Sequence, residues 1–273
     1  MTVTLLSLAH LSLISCDCEG LVRHAAAAGF DAVDLRLSPA TPTDRSYTAA
    51  ERLAVCRQLL VLLRDTGMQV WDVEIIRIDT RTRAQDHGPL LEAAALLGAR
   101  RLKVVADMED EPRTAAVLAD LCVLAAPLGL VVDLEYMVFS GVKSLASALR
   151  IVRMAGQSNL RVLVDALHWM RAGDTLAHIA AADPGLLGYV QLCDGPRRAP
   201  GDRAQLIQEA RTRRLAPGEG EFPLAALLQS LPQAGVASLE VPLPPGRAPL
   251  AHARALLRAT RALLKSTPGT PPP

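Results

Sequence analysis

The stretch APLGLVVDLE, residues 126–135, holds in ten residues the unit from which the chain is built. A helical run closes on Gly129, where glycine takes the left-handed conformation that stops a helix. An apolar run of Leu and Val follows at once, as in a strand buried on both faces, and it ends on a carboxylate, Glu135. The same punctuation recurs in AAAAGF at Gly29, LRDTGM at Gly67 and LLGARR at Gly98. Working outward, the pattern predicts strands over residues 3–8, 32–37, 69–75, 101–106, 130–135, 160–165, 188–193 and 236–241. Between and after them it predicts helices over 19–28, 49–65, 85–97, 113–127, 143–155, 174–182, 223–231 and 248–264. Eight strand-helix units in about 250 residues are the arithmetic of an α/β fold, a closed (β/α)8 TIM barrel. One domain over residues 1–264 follows, with the Pro-rich KSTPGTPPP at 265–273 expected to be a disordered tail. An open doubly wound sheet is disfavoured, because the turn after the first strand, AHLSLISCDC, has no glycine-rich phosphate cradle.

Composition narrows the function. Of the 273 residues, 50% are hydrophobic and 21% charged, which excludes a mainly disordered chain. Lys and Arg number 29 against 28 Asp and Glu, so no global field favours nucleic acid or acidic lipid, and neither is expected as a partner. Aromatic residues make up only 3%, so the core must be Leu, Ala and Val. Four of these scarce rings, Trp71, Tyr136, Trp169 and Tyr189, fall near strand ends or beside candidate ligands and are expected to wall a pocket, Trp169 foremost. Five cysteines without CxxC spacing read as buried thiols in a reducing compartment. The opening MTVTLLSLAHLSL lacks a basic stretch and a small-residue cleavage site, and the apolar runs are too short to span a bilayer; a cytoplasmic protein is expected.

In a barrel of this kind, chemistry sits at the C-terminal ends of the strands. The last four predicted strands carry Glu135, Asp165, Gln191 and Glu240 at or near those ends. Any one of them can be explained by helix capping or pairing with a cation. Neighbouring strands lie ~4.8 Å apart, so together they would bring three carboxylates and an amide to one rim, where unpaired charges repel. A divalent cation resolves the conflict, and an all-oxygen set favours Mg2+ or Mn2+, with Co2+ or Zn2+ if a histidine joins. His168, one helical turn past Asp165 in VDALHWM, returns toward the same pocket if the chain turns there; the alternative is a packing role beside Trp169.

The early strands add Arg36, Glu74, Arg77 and Lys103, charges that are costly between two buried faces. They either pair, as Arg36 and Glu74 would, or face the mouth as substrate contacts. His10 sits at the same rim without a second signal. The stretch LAPGEGEF, 215–222, has no lysine and two glutamates, so it reads as a tight turn shaping the rim rather than a phosphate loop. Arg211, Arg213 and Arg214 before it read as a solvated charge run, one of which is free to hold an anionic group.

Taken in order, Glu135, the DxxH of Asp165 and His168, the VQLCDGP of Gln191 and Asp194, PGEGEF, and the SLEVP of Glu240 resemble the xylose isomerase-like TIM-barrel superfamily, the sugar phosphate isomerases/epimerases. The likeness runs through nearly the whole chain, including EGLVRHAAAAGFDAVDLR near its start. It implies a divalent metal, Mn2+, Mg2+ or Co2+, held by Glu135, Asp165, Gln191 and Glu240. It further implies that Glu135 and Glu240 also act as acid and base, that His168 is a substrate contact or base, and that Arg197 binds substrate. Sugar epimerases usually have histidine where this chain has Gln191; glutamine there resembles the 3-dehydroshikimate dehydratases of the same superfamily, which are lyases.

The implied function is a metal-dependent isomerase or epimerase acting on a small hydroxy-carbonyl substrate through proton abstraction and a metal-stabilised enediolate. The alternatives are the dehydratase outcome, in which a β-hydroxyl leaves, and a non-catalytic metal- or ligand-binding barrel. The abasic-site endonucleases of the superfamily are disfavoured by a net charge of +1 and only 6 histidines. Barrels of this kind often pair, so a homodimer is the oligomer to look for.

Overall fold

The computed structural model describes residues 3–41, 44–231 and 235–266. Eight parallel strands close into one barrel in the order of the chain: β1 Leu5–Ala9, β2 Ala32–Arg36, β3 Gln69–Ile78, β4 Arg101–Ala106, β5 Val131–Glu135, β6 Leu160–Asp165, β7 Leu187–Leu192 and β8 Val236–Leu239. Each strand pairs with its sequence neighbours, and β1 pairs with β8, Leu5 opposite Val236 and Leu8 opposite Leu239. The outer ring comprises α1 Cys18–Ala28, α2 Ala49–Thr66, α3 Gly88–Leu96, α4 Glu111–Ala125, α5 Leu145–Ala155, α6 Ala166–Arg171, α7 Leu176–Ala180, α8 Arg203–Thr212, α9 Leu224–Ser230 and α10 Pro249–Ser266. Gly29 ends α1 at φ 93°, a conformation open to glycine, and its N–H donates to the carbonyls of Ala25 and Ala26.

The strand bounds fall within a few residues of those read from the sequence. The expected helix at 85–97 is a 3-10 turn at Ala84–His87 running into α3, and that at 174–182 shrinks to α7. Helices α6 and α8 had no sequence counterpart. At the C-terminus, Lys265 and Ser266 belong to α10, and the rest of the expected tail, 267–273, lies outside the described residues.

Between strands and helices the core is aliphatic, as composition requires. The four aromatic residues expected to wall a pocket do otherwise. Trp71 and Tyr189 meet edge to face, centroids 5.9 Å apart, in a layer with Leu5 and Val236, which open β1 and β8 at the N-terminal end of the barrel. Tyr136 and Trp169 are buried in the main core. All five cysteines are free thiols, four of them buried.

Inside the barrel, beneath the strand ends, lies a polar layer. Ser7 Oγ donates to Asp34 Oδ1 at 2.6 Å, Ser238 donates to the other oxygen, and Asp72 accepts from the Tyr189 hydroxyl and from the backbone N–H of Lys103 at 3.1 Å. Both aspartates are fully buried. Burial, reinforced by neighbouring carboxylates, raises both acids above the ordinary range.

Candidate metal centre and substrate pocket

Asp165 ends β6 and is at once the N-cap of α6. Its Oδ1 accepts the backbone N–H of Leu167 at 2.8 Å and of His168 at 3.1 Å. The capping explanation for Asp165 therefore holds, but it also serves the site, because the sharp start of α6 brings His168 back over the strand ends. His168 is buried with Nε2 3.9 Å from Glu135 Oε1. Parallel pairing sets Gln191 of β7 opposite Asp165, and the N–H of Glu240, just past β8, donates to Leu192 O at 3.1 Å. Glu135, Asp165, Gln191 and Glu240 are thus gathered on one rim, as expected.

Two protein cations occupy that rim with them. Lys103 Nζ lies 3.0 Å from Glu74 Oε1 and 3.1 Å from Glu240 Oε1, and donates to Gln191 Oε1 at 3.4 Å. Arg214 donates through Nη1 to Asp165 Oδ2 at 2.6 Å and lies through Nη2 2.8 Å from Glu240 Oε2. Sequence reasoning placed Arg214 in a solvated run, yet it is buried. An antiparallel bridge between Asp194 and Leu215 draws its backbone against the barrel end, whereas Arg211 and Arg213 stay exposed.

These contacts decide the charge states. Burial opposes ionisation of Glu240, but Lys103, Arg214 and Arg36 outweigh it and hold the acid below the usual carboxylate range. Glu135 has less help: among the described residues no lysine or arginine forms an ion pair with it. Burial, only partly offset by Lys103 and reinforced by Glu240 and Asp165, raises its acid. Burial lowers His168 to about 4, so its imidazole is neutral near pH 7.

A cavity of about 270 Å³ opens above this rim. Its charged lining counts Arg36, Arg77, Lys103, Arg211 and Arg214 against Asp44, Glu135 and Glu240. Ala40, Ile75, Met137 and Phe139 form an apolar wall, and the Phe139 ring meets His168 edge to face at 5.4 Å. Phe139, which had no sequence signal, takes the place expected of Trp169. Arg36 pairs with Glu74 at 2.9 Å and also lines the mouth; Glu74 is fully buried beneath it. Arg77 lines the mouth while donating to Asp107 at 2.9 Å. Arg197 is exposed and does not belong to the cavity lining; its backbone N–H donates to Glu221 Oε2 at 2.8 Å. His10 is internally satisfied: Nδ1 accepts the Arg36 N–H at 3.0 Å, and Nε2 lies 3.1 Å from Cys16 O.

The PGEGEF segment does shape the rim. Asp194 Oδ1 accepts the N–H groups of Gly195 and Phe222, and Oδ2 that of Gly218. A Cβ at Gly220 would stand 2.4 Å from Asp194 Oδ1 and 2.6 Å from the Gly195 backbone, so the close approach demands glycine.

The donor set fits a divalent ion. One ligand atom each from Glu135, Asp165 and His168 lie within 4.8 Å of one another, Glu135 lacks a cationic partner, and the buried Nδ1 of His168 has no hydrogen-bond partner. Among the described residues no helix is long and apolar enough to cross a membrane.

The fold recurs in solved structures. An IOLI protein with a binding zinc atom superposes with a TM-score of 0.79 at 15% identity, over 97% of this chain and 100% of that one. A xylose isomerase-like TIM barrel/4-hydroxyphenylpyruvate dioxygenase fusion protein gives 0.79 at 22% identity over the whole of this chain, which spans 46% of the fusion. The probable 3-DHS dehydratase AsbF from Bacillus anthracis gives 0.70 at 16% identity, over 95% of this chain and 98% of that one. D-psicose 3-epimerases also share the fold. At such identities these likenesses speak to fold alone. No curated protein matches the chain in sequence. The family profile of the xylose isomerase-like TIM barrel, however, matches residues 22–265, which run from the first helix through all the strand-end residues to the last helix. The chain belongs to the xylose isomerase-like TIM barrel family.

Proposed function

We propose that this protein is a divalent-metal-dependent enzyme that takes a proton from the carbon beside a carbonyl in a small anionic hydroxy-carbonyl compound, with loss of a β-hydroxyl as water. The reaction is then that of a lyase of the 3-dehydroshikimate dehydratase type. The carrying observation is the cavity lining, in which four arginines and a lysine stand beside an apolar wall. Most of these cations are paired with carboxylates, Arg36 and Lys103 with Glu74, Arg77 with Asp107 and Arg214 with Asp165, so it is a set of charge-assisted hydrogen-bond donors rather than a net charge, and it suits the carboxylate of an acid with a hydrocarbon face better than a neutral sugar. Gln191, where sugar epimerases usually have histidine, supports the same reading.

Glu135, Asp165, Gln191 and Glu240 would hold the ion, Mn2+, Mg2+ or Co2+. Such an ion supplies a Lewis acid for the substrate carbonyl. The neutral imidazole of His168 takes the proton. The departing hydroxyl requires one, so the same imidazole can return it, and the balance is one water released per turnover. Arg36, Arg77 and Lys103 steer and hold the anion.

The isomerase or epimerase outcome is the second reading. It is favoured by Glu135 and Glu240, two carboxylates that line the same cavity, an arrangement suited to an acid and a base on two sides of one carbon.

Incubating Mn2+-loaded protein in D2O with cyclic hydroxy-keto acids and with ketohexoses tests both. Water loss with a new conjugated absorbance from the acids is expected. Deuterium uptake into ketohexoses without water loss would establish the second reading instead, and silence in both panels sinks both. Glu240→Gln should abolish turnover and lower the bound metal; unchanged metal content by elemental analysis removes Glu240 from the ligand set.

A further inference from the structure

Asp165 and Glu240 have no oxygen without a donor. Asp165 Oδ1 is held by two backbone N–H groups and Oδ2 by Arg214; Glu240 Oε1 is held by Lys103 and Oε2 by Arg214. Arg214 is itself fixed, its Nε donating to Ala210 O at 2.7 Å and its Nη1 lying 3.6 Å from Cys193 Sγ. One buried guanidinium therefore spans the first and last of three successive strands at the rim assigned above to a metal. A dication drawing on the same carboxylates would meet a like charge within a few ångströms, in surroundings that screen it poorly.

Resting on the metal-dependent reading, we propose that Arg214 is a built-in competitor for the metal. It is a positioning residue whose guanidinium holds Asp165 and Glu240 in register in the metal-free protein and yields Asp165 Oδ2 and Glu240 Oε2 when the ion arrives. The site is thus kept assembled without metal, at the cost of metal affinity. Arg36 provides the contrast. It is also a buried cation near the site, but its partners are Glu74 and Asp44, not the two carboxylates that Arg214 holds.

Titrating Mn2+ alone into purified full-length protein by calorimetry tests this. Arg214→Met should bind Mn2+ at least tenfold more tightly than the parent, Arg214→Lys to an intermediate degree, and Arg36→Met within threefold of the parent. Parent protein that binds Mn2+ while folded Arg214→Met binds it no more tightly overturns the proposal alone. Tightening by Arg36→Met equal to that by Arg214→Met also overturns it, because charge removal anywhere would then suffice. Failure of every protein to bind overturns it together with the metal-dependent reading. Should Arg214→Met not fold, nitrogen-resolved magnetic resonance on the parent decides. The slowly rotating guanidinium signals of Arg214 should be lost on saturation with Mg2+, and signals that persist unchanged overturn the proposal.

Discussion

Asp34, on the floor of the barrel, accepts from Ser7 and Ser238, and burial together with the charge of Glu74 raises its acid to about 7. An unfolded aspartate titrates near ~4, so the folded chain retains a proton through the interval that the unfolded chain has lost. The stability this residue contributes, relative to one that does not titrate, is complete below ~4 and lost as pH rises toward 7. Asp34→Asn should therefore gain on the parent between pH 4 and 7, by up to ~4 kcal/mol, read by urea unfolding across that range. A difference that does not vary with pH would show that Asp34 is ionised in the folded protein. Arg214 illustrates the limit of sequence reading at this scale. Nothing in RTRRL separates Arg214 from Arg211 and Arg213; only the bridge between Asp194 and Leu215 does, and that contact joins residues 21 apart. Glu135, Asp165, Gln191 and Glu240 were readable because each lies at or next to the C-terminal end of a largely apolar strand, and four such residues on four successive strands converge.

At the scale of elements, the rim loop after β7 depends on Asp194 and on the absence of a side chain at Gly220. Gly220→Ala forces Asp194 away from the Gly195 and Phe222 N–H groups and should cost about 1–3 kcal/mol in urea unfolding. It should also lower turnover, since Arg214 lies just before this loop. Full stability and activity would show that the loop shifts without loss. Strands were legible because parallel strands in a barrel are buried on both faces and read as unbroken apolar runs. Helix α6 was not, because it begins on the last residue of β6 with no turn residues between. Helix α8 carries mostly polar residues, with only Glu209 and Ala210 buried, so it offers no apolar stripe to a periodicity search.

For the molecule as a whole, the pairing of Lys103 and Arg214 with the rim carboxylates bears on what metal does for the fold. Where a structural zinc site is emptied, the domain unfolds, since the binding energy is folding energy. Here the cations already compensate Asp165 and Glu240, and the barrel ladder makes no use of the rim side chains. Dialysis against a chelator should therefore leave the circular dichroism spectrum unchanged and abolish turnover; loss of helical signal would show that the ion is structural. The barrel itself followed from counting strand-helix units, whereas its polar floor, built from Ser7, Asp34, Asp72, Tyr189 and Ser238, did not. Those residues sit singly in five strands and acquire meaning only when closure stacks them.

Closure has one more consequence. Because β1 finds its second partner only in β8, some 230 residues later, a chain leaving the ribosome carries seven strands as an open sheet with two raw edges. Glu240 follows directly on the strand that seals it. The pocket and the ring of strands are thus finished in one event, once β8 has emerged, and a nascent piece ending before β8 has neither.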